Sequence, residues 1–494
     1  GLYEVAGRMS GVDLGLPNPA AGNRPGALVF VDDLGRRGFQ DRYWKQFSPR
    51  FGFAYVLRPR IVMRGGYGIN NTPPISNGFG FGGTLGYSAN IVLNTLTVPL
   101  TFVDDPVFFL HQRYPDFTAT LPNKNPALGN NQGANYTARD SNRLAYVQNY
   151  NLGFQIEAPG RTVVEISYLG SKGTRLEANG LDQLDQLPVS ALSLGDRLIE
   201  PLSQNPTLAP LPYAGFTGTV AQALRKYPQY LGVTQQFANL GTSTYNSLQL
   251  LMSRRFTSGL GYNVAYTWSK AMALADSAID AISSQDVYNR GLEKSVTAYH
   301  VPHYLKTSWI YELPIGPGKA LNLDGLAGKL IGGWTLTAVQ NYRSGDQLQI
   351  TTSGFRTDGI FNGTIRPDWV SSNIVVDKGE PVVFGTGGAT QYLSPTAFAQ
   401  IPRTSGQIPL RLGTAPRYLP TARGPIRMSE DFGFGKKFVF NENTSIEVRA
   451  DMFNVFNRAG RGNPNTDITN PQFGKITGAA YGPRSIQMAG RITF

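Results

Sequence analysis

A transmembrane, all-β antiparallel barrel is the fold class this sequence predicts. Three observations predict it: segments that alternate apolar and polar side chains, connections that are short and long by turns, and an ordered, aromatic chain end. In the final stretch "RSIQMAGRITF", Ile486, Met488, Gly490, Ile492 and Phe494 fall on one side, and Ser485, Gln487, Ala489, Arg491 and Thr493 on the other. Chain ends are ordinarily polar and loose. In hydrocarbon every backbone donor needs a partner, so a barrel's final strand is expected to close against its first.

Composition supports a two-faced sheet. The chain has 494 residues, more than a usual single soluble domain, yet only 16% are charged and 11% are aromatic, with 57 glycines. Asn, Gln, Ser, Thr, Gly and Tyr fill the space that charge leaves, which suits strands with one apolar and one polar face. Cysteine is absent, so disulfides and thiolate chemistry are excluded. The net charge of +12 is scattered over strands and loops with no basic helix or arm, which argues against nucleic acid as a partner. No apolar run approaches the ~20 residues of a membrane helix. The chain opens "GLYEVAGRMSG", without an initiating Met or signal peptide and already strand-like, so it is expected to be a piece of something longer.

The strands follow in pairs. "SPRFGFAYVL" sets Phe51, Phe53, Tyr55 and Leu57 against Arg50, Gly52 and Ala54, and "IVMRGGYGI" follows after a short turn at Pro59. "NYNLGFQIE" places Tyr150, Leu152, Phe154 and Ile156 together, and past Pro159 come Val164, Ile166 and Tyr168. "YNSLQLLMSRRF" and "LGYNVAYTWSK" flank the turn at Ser258; Leu248, Leu250 and Met252 share a side, as do Tyr262, Val264, Tyr266 and Trp268. "YLKTSWIYELP" and "GGWTLTAVQNYRSG" bracket a longer Gly/Pro-rich connection, and "DFGFGKKFVF" and "SIEVRADMF" bracket the turn at Asn441. Sustained period two predicts strands, about twelve with the opening segment included.

Between pairs the connections are long: roughly 14–43, 72–143, 177–244, 272–301, 352–426 and 457–481. Short turns alternating with long loops is the pattern of outer-membrane barrels, with the turns in the periplasm and the loops outside. A soluble propeller or sandwich also alternates, but it buries Val, Ile and Leu and rarely carries such loops at one end only. The apolar face here is rich in Phe, Tyr and Trp. Tyr266 and Trp268 are expected in an aromatic girdle at the outer rim, and Trp309, Tyr311 and Trp334 in one at the inner rim.

The strings "FSPRFGFAY", "YNSLQLLMSRRFTSGLGYNVAYTWSK", "YELPIGPGK", "VRADMFNVFN" and "FGKITGAAYGPRSIQMAGRITF" resemble, in this order, the Oar-like group of TonB-dependent receptors. Those receptors carry a carboxypeptidase-regulatory-like N-terminal domain. The resemblance runs through nearly the whole chain and is weakest in loops 72–143, 177–244 and 352–426. It implies a 22-stranded barrel filled by a plug, with an N-terminal box that contacts TonB. Neither plug nor box is found in the sequence, so this chain is expected to be the last part of such a barrel, although a closed twelve-stranded barrel is also physically allowed. The ending, Ile492 and Phe494 above all, resembles the C-terminal signal read by the barrel-assembly machinery.

Site residues are chosen by type and side. Glu447, Arg449 and Asp451 alternate in sign on the face opposite Ile446, Val448 and Ala450. They are expected to point into the lumen with Arg64, as contacts to a plug or as a salt-bridge ladder within the wall. Lys306 and Glu312 are expected to play similar parts. Tyr43, Trp44, Tyr114, Tyr227 and Tyr230 are loop aromatics, suited either to ligand contact or to loop packing. His111, His300 and His303 lack a third ligand at metal-site spacing and are expected to be solvated. Asp104, Asp105, Arg139, Asp140 and Asn142 read as turn formers rather than a calcium loop. The Gly-rich stretches at 78–83 and 386–388 lack a phosphate cradle's ending, and no hydrolase elbow occurs. No metal, cofactor or catalytic residue is expected. Two functions stay open: a TonB-dependent transporter of a Gram-negative envelope that admits an unknown solute, and a structural or adhesive barrel whose loops bind partner proteins.

Overall fold

The computed structural model describes residues 9–34, 39–72, 124–178, 181, 184–276, 284–357, 360, 365–377 and 390–494. Eleven long strands build one antiparallel wall. They are β1 (Arg50–Arg58), β2 (Ile61–Thr72), β3 (Ala145–Ala158), β4 (Thr162–Leu176), β5 (Gly241–Thr257) and β6 (Leu260–Ala273), followed by β7 (His303–Glu312), β8 (Trp334–Arg343), β9 (Arg427–Val439), β10 (Ser445–Phe453) and β11 (Ser485–Thr493). Each pairs with the next in sequence, and the two-residue strand Ser295–Val296 on the end of β6 makes the sheet twelve-stranded. Most of the opening segment, residues 1–8, lies outside the described residues. Ser10–Asn18 forms a separate hairpin with Arg24–Phe30, largely within the stretch 14–43 expected to be a long loop.

Register keeps one face apolar from edge to edge. Phe154 stands opposite Met63 and Ile166, Leu250 opposite Ile166 and Tyr266, and Leu305 opposite Tyr266 and Tyr342. Nearer the short turns, a second row on the same face runs from Tyr311 through Leu336, Phe434, Ala450 and Met488. A slip of one residue between any two strands would break it, because the side-chain period is two. Tight turns hold the register at one end. Between β5 and β6, Ser258 and Gly259 take φ of 51° and 77°, the pair of left-handed residues that a two-residue hairpin turn matched to strand twist demands.

β1 runs into such a short turn, and β11, arriving from a long loop, runs the same way. The wall therefore has two like-directed edges, and all residues of both edge strands are exposed. Among the described residues no strand pairs with either outer edge. Among the described residues β11 does not pair with β1. A pair formed between them would be parallel, whereas a meander closes antiparallel.

At the other end the long connections fold on one another. Four clusters of buried apolar side chains lie there, including Leu187, Leu192 and Leu198 in one and Leu393, Phe398 and Ile476 in another. In the eleven long strands the buried apolar side chains are alanines only: Ala271, Ala273 and Ala338.

Candidate functional site

The polar face of the wall borders a cavity of about 1190 Å³, lined in part by Arg64, Gln155, Glu165, Ser253, Arg255 and Asn263. A smaller one of about 260 Å³ shares Arg64, Gln155 and Glu165 with it. Most of their lining residues stand on the face opposite Ile166, Leu250 and Tyr266, so the polar face is the concave one and the apolar face looks outward. Cations predominate over the single carboxylate Glu165 in the lining of the larger cavity, with Arg161 and Arg254 near the short turns.

The charges expected on β10 share that polar face. Arg449 donates to Asp451 at 2.9 Å, two residues along one strand. Glu447 stands in register between Lys437 and Arg491. Opposite charges facing each other across strands stabilise the pairing directly. Arg449 and Asp451 thus form an ion pair within the strand.

The five wall aromatics sit on the apolar face near the two ends. Toward the long loops, the Tyr266 hydroxyl meets His303 Nδ1 at 2.8 Å and Trp268 is largely exposed. Toward the short turns, Trp309 donates to Gln340 Oε1 at 3.2 Å, Tyr311 stands opposite Leu336, and Trp334 stacks on Phe434 at 4.3 Å. Ile492 and Phe494 are exposed at the end of the chain.

The loop aromatics divide. Trp44 is 81% exposed, and the Arg143 guanidinium covers the Tyr43 ring at 5.6 Å. Tyr227 and Tyr230 are sealed in the core with Val12, Ala134 and Val233. The Tyr230 hydroxyl donates to the Gly26 carbonyl at 2.9 Å, and burial pushes its pKa up to about 12. As placed, these two tyrosines are packing residues and do not face a ligand, which corrects that reading for them. Apart from Val233, their neighbours in the core come from distant segments, so little that is local marked them. Tyr114 lies outside the described residues, as do His111, Asp104, Asp105 and the stretches 78–83 and 386–388.

What sequence reading missed is a set of arginine–carboxylate pairs that tie the loops together. Arg366 grips Glu293 with two bonds of 2.9 and 3.1 Å, both side chains sealed from solvent. Arg417 meets Asp276 at 3.2 Å and donates to the Ala273 carbonyl at the end of β6. Arg461 holds Asp377 through two bonds of 2.6 Å. The first pair spans 73 residues of sequence, so no spacing rule reveals it. His300 is also buried, against expectation, where it accepts from Ala271 N at 3.4 Å. Burial, with Arg423 and Lys270 nearby, brings its pKa down to about 4. His303 is on the wall. Among the described residues no three His, Asp or Glu side chains gather to hold a metal ion.

A family model described as "Outer membrane beta barrel domain" matches residues 1–487. None of the curated proteins matches the chain. Solved structures with a similar fold include the outer membrane transporter YddB from Escherichia coli, at 10% identity and a TM-score of 0.40, covering 90% of this chain and 40% of that one. The ferripyoverdine receptor of Pseudomonas aeruginosa, at 11% and 0.38, covers 95% of this chain and 35% of its own length is matched. The FrpB iron transporter from Neisseria meningitidis stands at 11% and 0.38, with coverage of 90% and 39%. This chain thus spans less than half the length of those proteins. Over nearly its whole length the chain matches one family, and it belongs to the outer-membrane β-barrel domain proteins.

Proposed function

We propose that the chain forms the C-terminal wall and outer loop layer of a TonB-dependent receptor of the Oar-like group. In this reading the loops capture a solute outside and the barrel admits it to the periplasm. The observation that carries the reading is a polar, concave wall bordering a cavity of about 1190 Å³ beneath loops that have folded into a layer of their own. The outer membrane holds no nucleotide pool, so the driving force comes from the inner membrane through TonB, by way of a plug upstream of this chain. Trp44 and Tyr43 are the proposed ligand contacts. Arg64, Glu447, Arg449 and Asp451 face the plug or one another. Ile492 and Phe494 are read by the barrel-assembly machinery.

Strand direction supports completion by further strands of the same receptor. Both edges run toward the short turns, so antiparallel closure needs an odd number of added strands. A second copy inserted the same way presents only like-directed edges and cannot supply them. A 22-stranded wall leaves an odd remainder beyond this chain, as required.

The test is accumulation of solutes by cells that carry or lack the whole receptor gene. Loss of one solute's accumulation on deletion, restored by the intact gene and abolished with TonB, supports the transporter. Surface binding of a partner protein with unchanged accumulation of every solute replaces it with the adhesive barrel.

A further inference from the structure

The connection between β7 and β8, residues 313–333, is the longest at the short-turn end, and it is folded. Glu312 pairs with Lys319 at 3.0 Å, Gly316 N donates to the Leu321 carbonyl at 3.0 Å, and a short helix spans Gly325–Ile331. Gly328 is buried so tightly that a Cβ there would lie 1.9 Å from the Leu323 carbonyl oxygen. Yet the segment turns its large aliphatic side chains outward. Leu321, Leu326, Leu330 and Ile331 are 60%, 77%, 55% and 51% exposed. A seven-residue helix has no stability of its own in water, and displaying leucines there is unfavourable.

The apolar face of the wall holds this helix by its C-terminus. Trp334 Nε1 donates to the Leu330 carbonyl at 3.1 Å. Lys436 Nζ donates to the same carbonyl at 3.1 Å and to that of Lys329. The Trp334 ring lies flat on Phe434, and the Lys436 ammonium stands over Phe438 at 4.5 Å. Trp334, Phe434, Lys436 and Phe438 all belong to the outward, apolar face by register. A cation on free helix-end carbonyls is the favourable sign for that end. The leucines thus continue the lipid-facing belt at its rim, with exposed Lys319 and Lys329 beside them.

We propose that residues 321–331 are an interfacial anchor that sets Leu326, Leu330 and Ile331 into the phospholipid leaflet at the short-turn end, with the two lysines at headgroup phosphates. The occupant is lipid because the patch is continuous with the belt and pinned to it by belt residues. That the leaflet is the periplasmic one rests on the orientation proposed above; contact with lipid does not.

The chain has no cysteine, so Leu326→Cys or Leu330→Cys carries a single nitroxide label. Glu442→Cys, in the exposed β9–β10 turn at the same end, is the water reference. In the whole polypeptide reconstituted into phosphatidylethanolamine–phosphatidylglycerol vesicles, the ratio of oxygen to nickel-chelate accessibility at 326 and 330 is expected to exceed that at 442 several-fold. Labels at 326 and 330 as open to nickel as that at 442 overturn the anchor. Labels shielded from both reagents overturn it too, by showing a protein cover in place of lipid. Solute accumulation does not enter this readout, so the two proposals fail separately.

Discussion

Along β5, Leu248 and Leu250 point away from the polar cavity and are never sealed, whereas Leu187, Leu192 and Leu393 in the loops are closed off completely. The same residue type is thus used in two opposite ways within one chain. In the wall, apolar groups face outward toward lipid and the strands gain their order from ladder hydrogen bonds, which hydrocarbon makes obligatory. In the loop layer, apolar groups face inward and water drives the burial. Buried charge follows the same division. The sealed Arg366–Glu293 pair holds the loops together, while the Arg449–Asp451 pair of the wall stays half open to the lumen.

Four measurements would break or sharpen this contrast. The largest effect is expected from Arg366→Ala, which strands a buried Glu293 and costs about 3–5 kcal/mol. Proteolysis of the loops should accelerate while the compact migration of the unboiled protein persists. If wall and loops come apart together, they are one cooperative unit and the contrast is wrong. Next, Leu250→Arg on the outward face is expected to cost about 2–4 kcal/mol, whereas Gln249→Arg on the lumen side stays within about 0.5 kcal/mol. Urea unfolding in lipid vesicles reads both, and equal costs would abolish the assignment of faces.

The third is a pH effect confined to the loops. His300 stands at about 4 when folded, against its ordinary 6.5. The unfolded loop therefore takes up a proton first, so the contribution is complete above about pH 6.5 and drains away as pH falls toward 4. His300→Gln should flatten the fall in loop melting temperature over that window, with no change above it. The smallest effect is Arg449→Gln, expected to cost less than about 1 kcal/mol because the pair is half open to solvent. A larger loss on this substitution would give the pair a partner beyond the wall.

How much was legible depends on the range over which the signal acts. Wall strands were readable from pairs such as Leu250 and Met252 or Tyr266 and Trp268, because alternation is written within a few residues. The polar side of β10 was readable from Glu447, Arg449 and Asp451 in the same way. Tyr227 and Tyr230 were not resolved between surface and core, since the residues that bury them, Val12 and Ala134, come from other loops. Ser10–Asn18 and Arg24–Phe30 pair with each other inside a stretch read mostly as a loop, 14–43. Alternation cannot tell a wall edge from a loop hairpin.

The amino-acid sequence by itself determined which segments are strands, which side of each is apolar, and the rhythm of short and long connections, because period two and turn residues act locally. Tertiary structure alone decided that the long loops share buried cores, that Arg366 finds Glu293 across 73 residues, and that the leucines of 321–331 are held at the rim of the belt. It also decided that β1 and β11 run the same way as unpaired edges among the described residues. Those outcomes depend on contacts between distant residues, and no short window of sequence contains both partners.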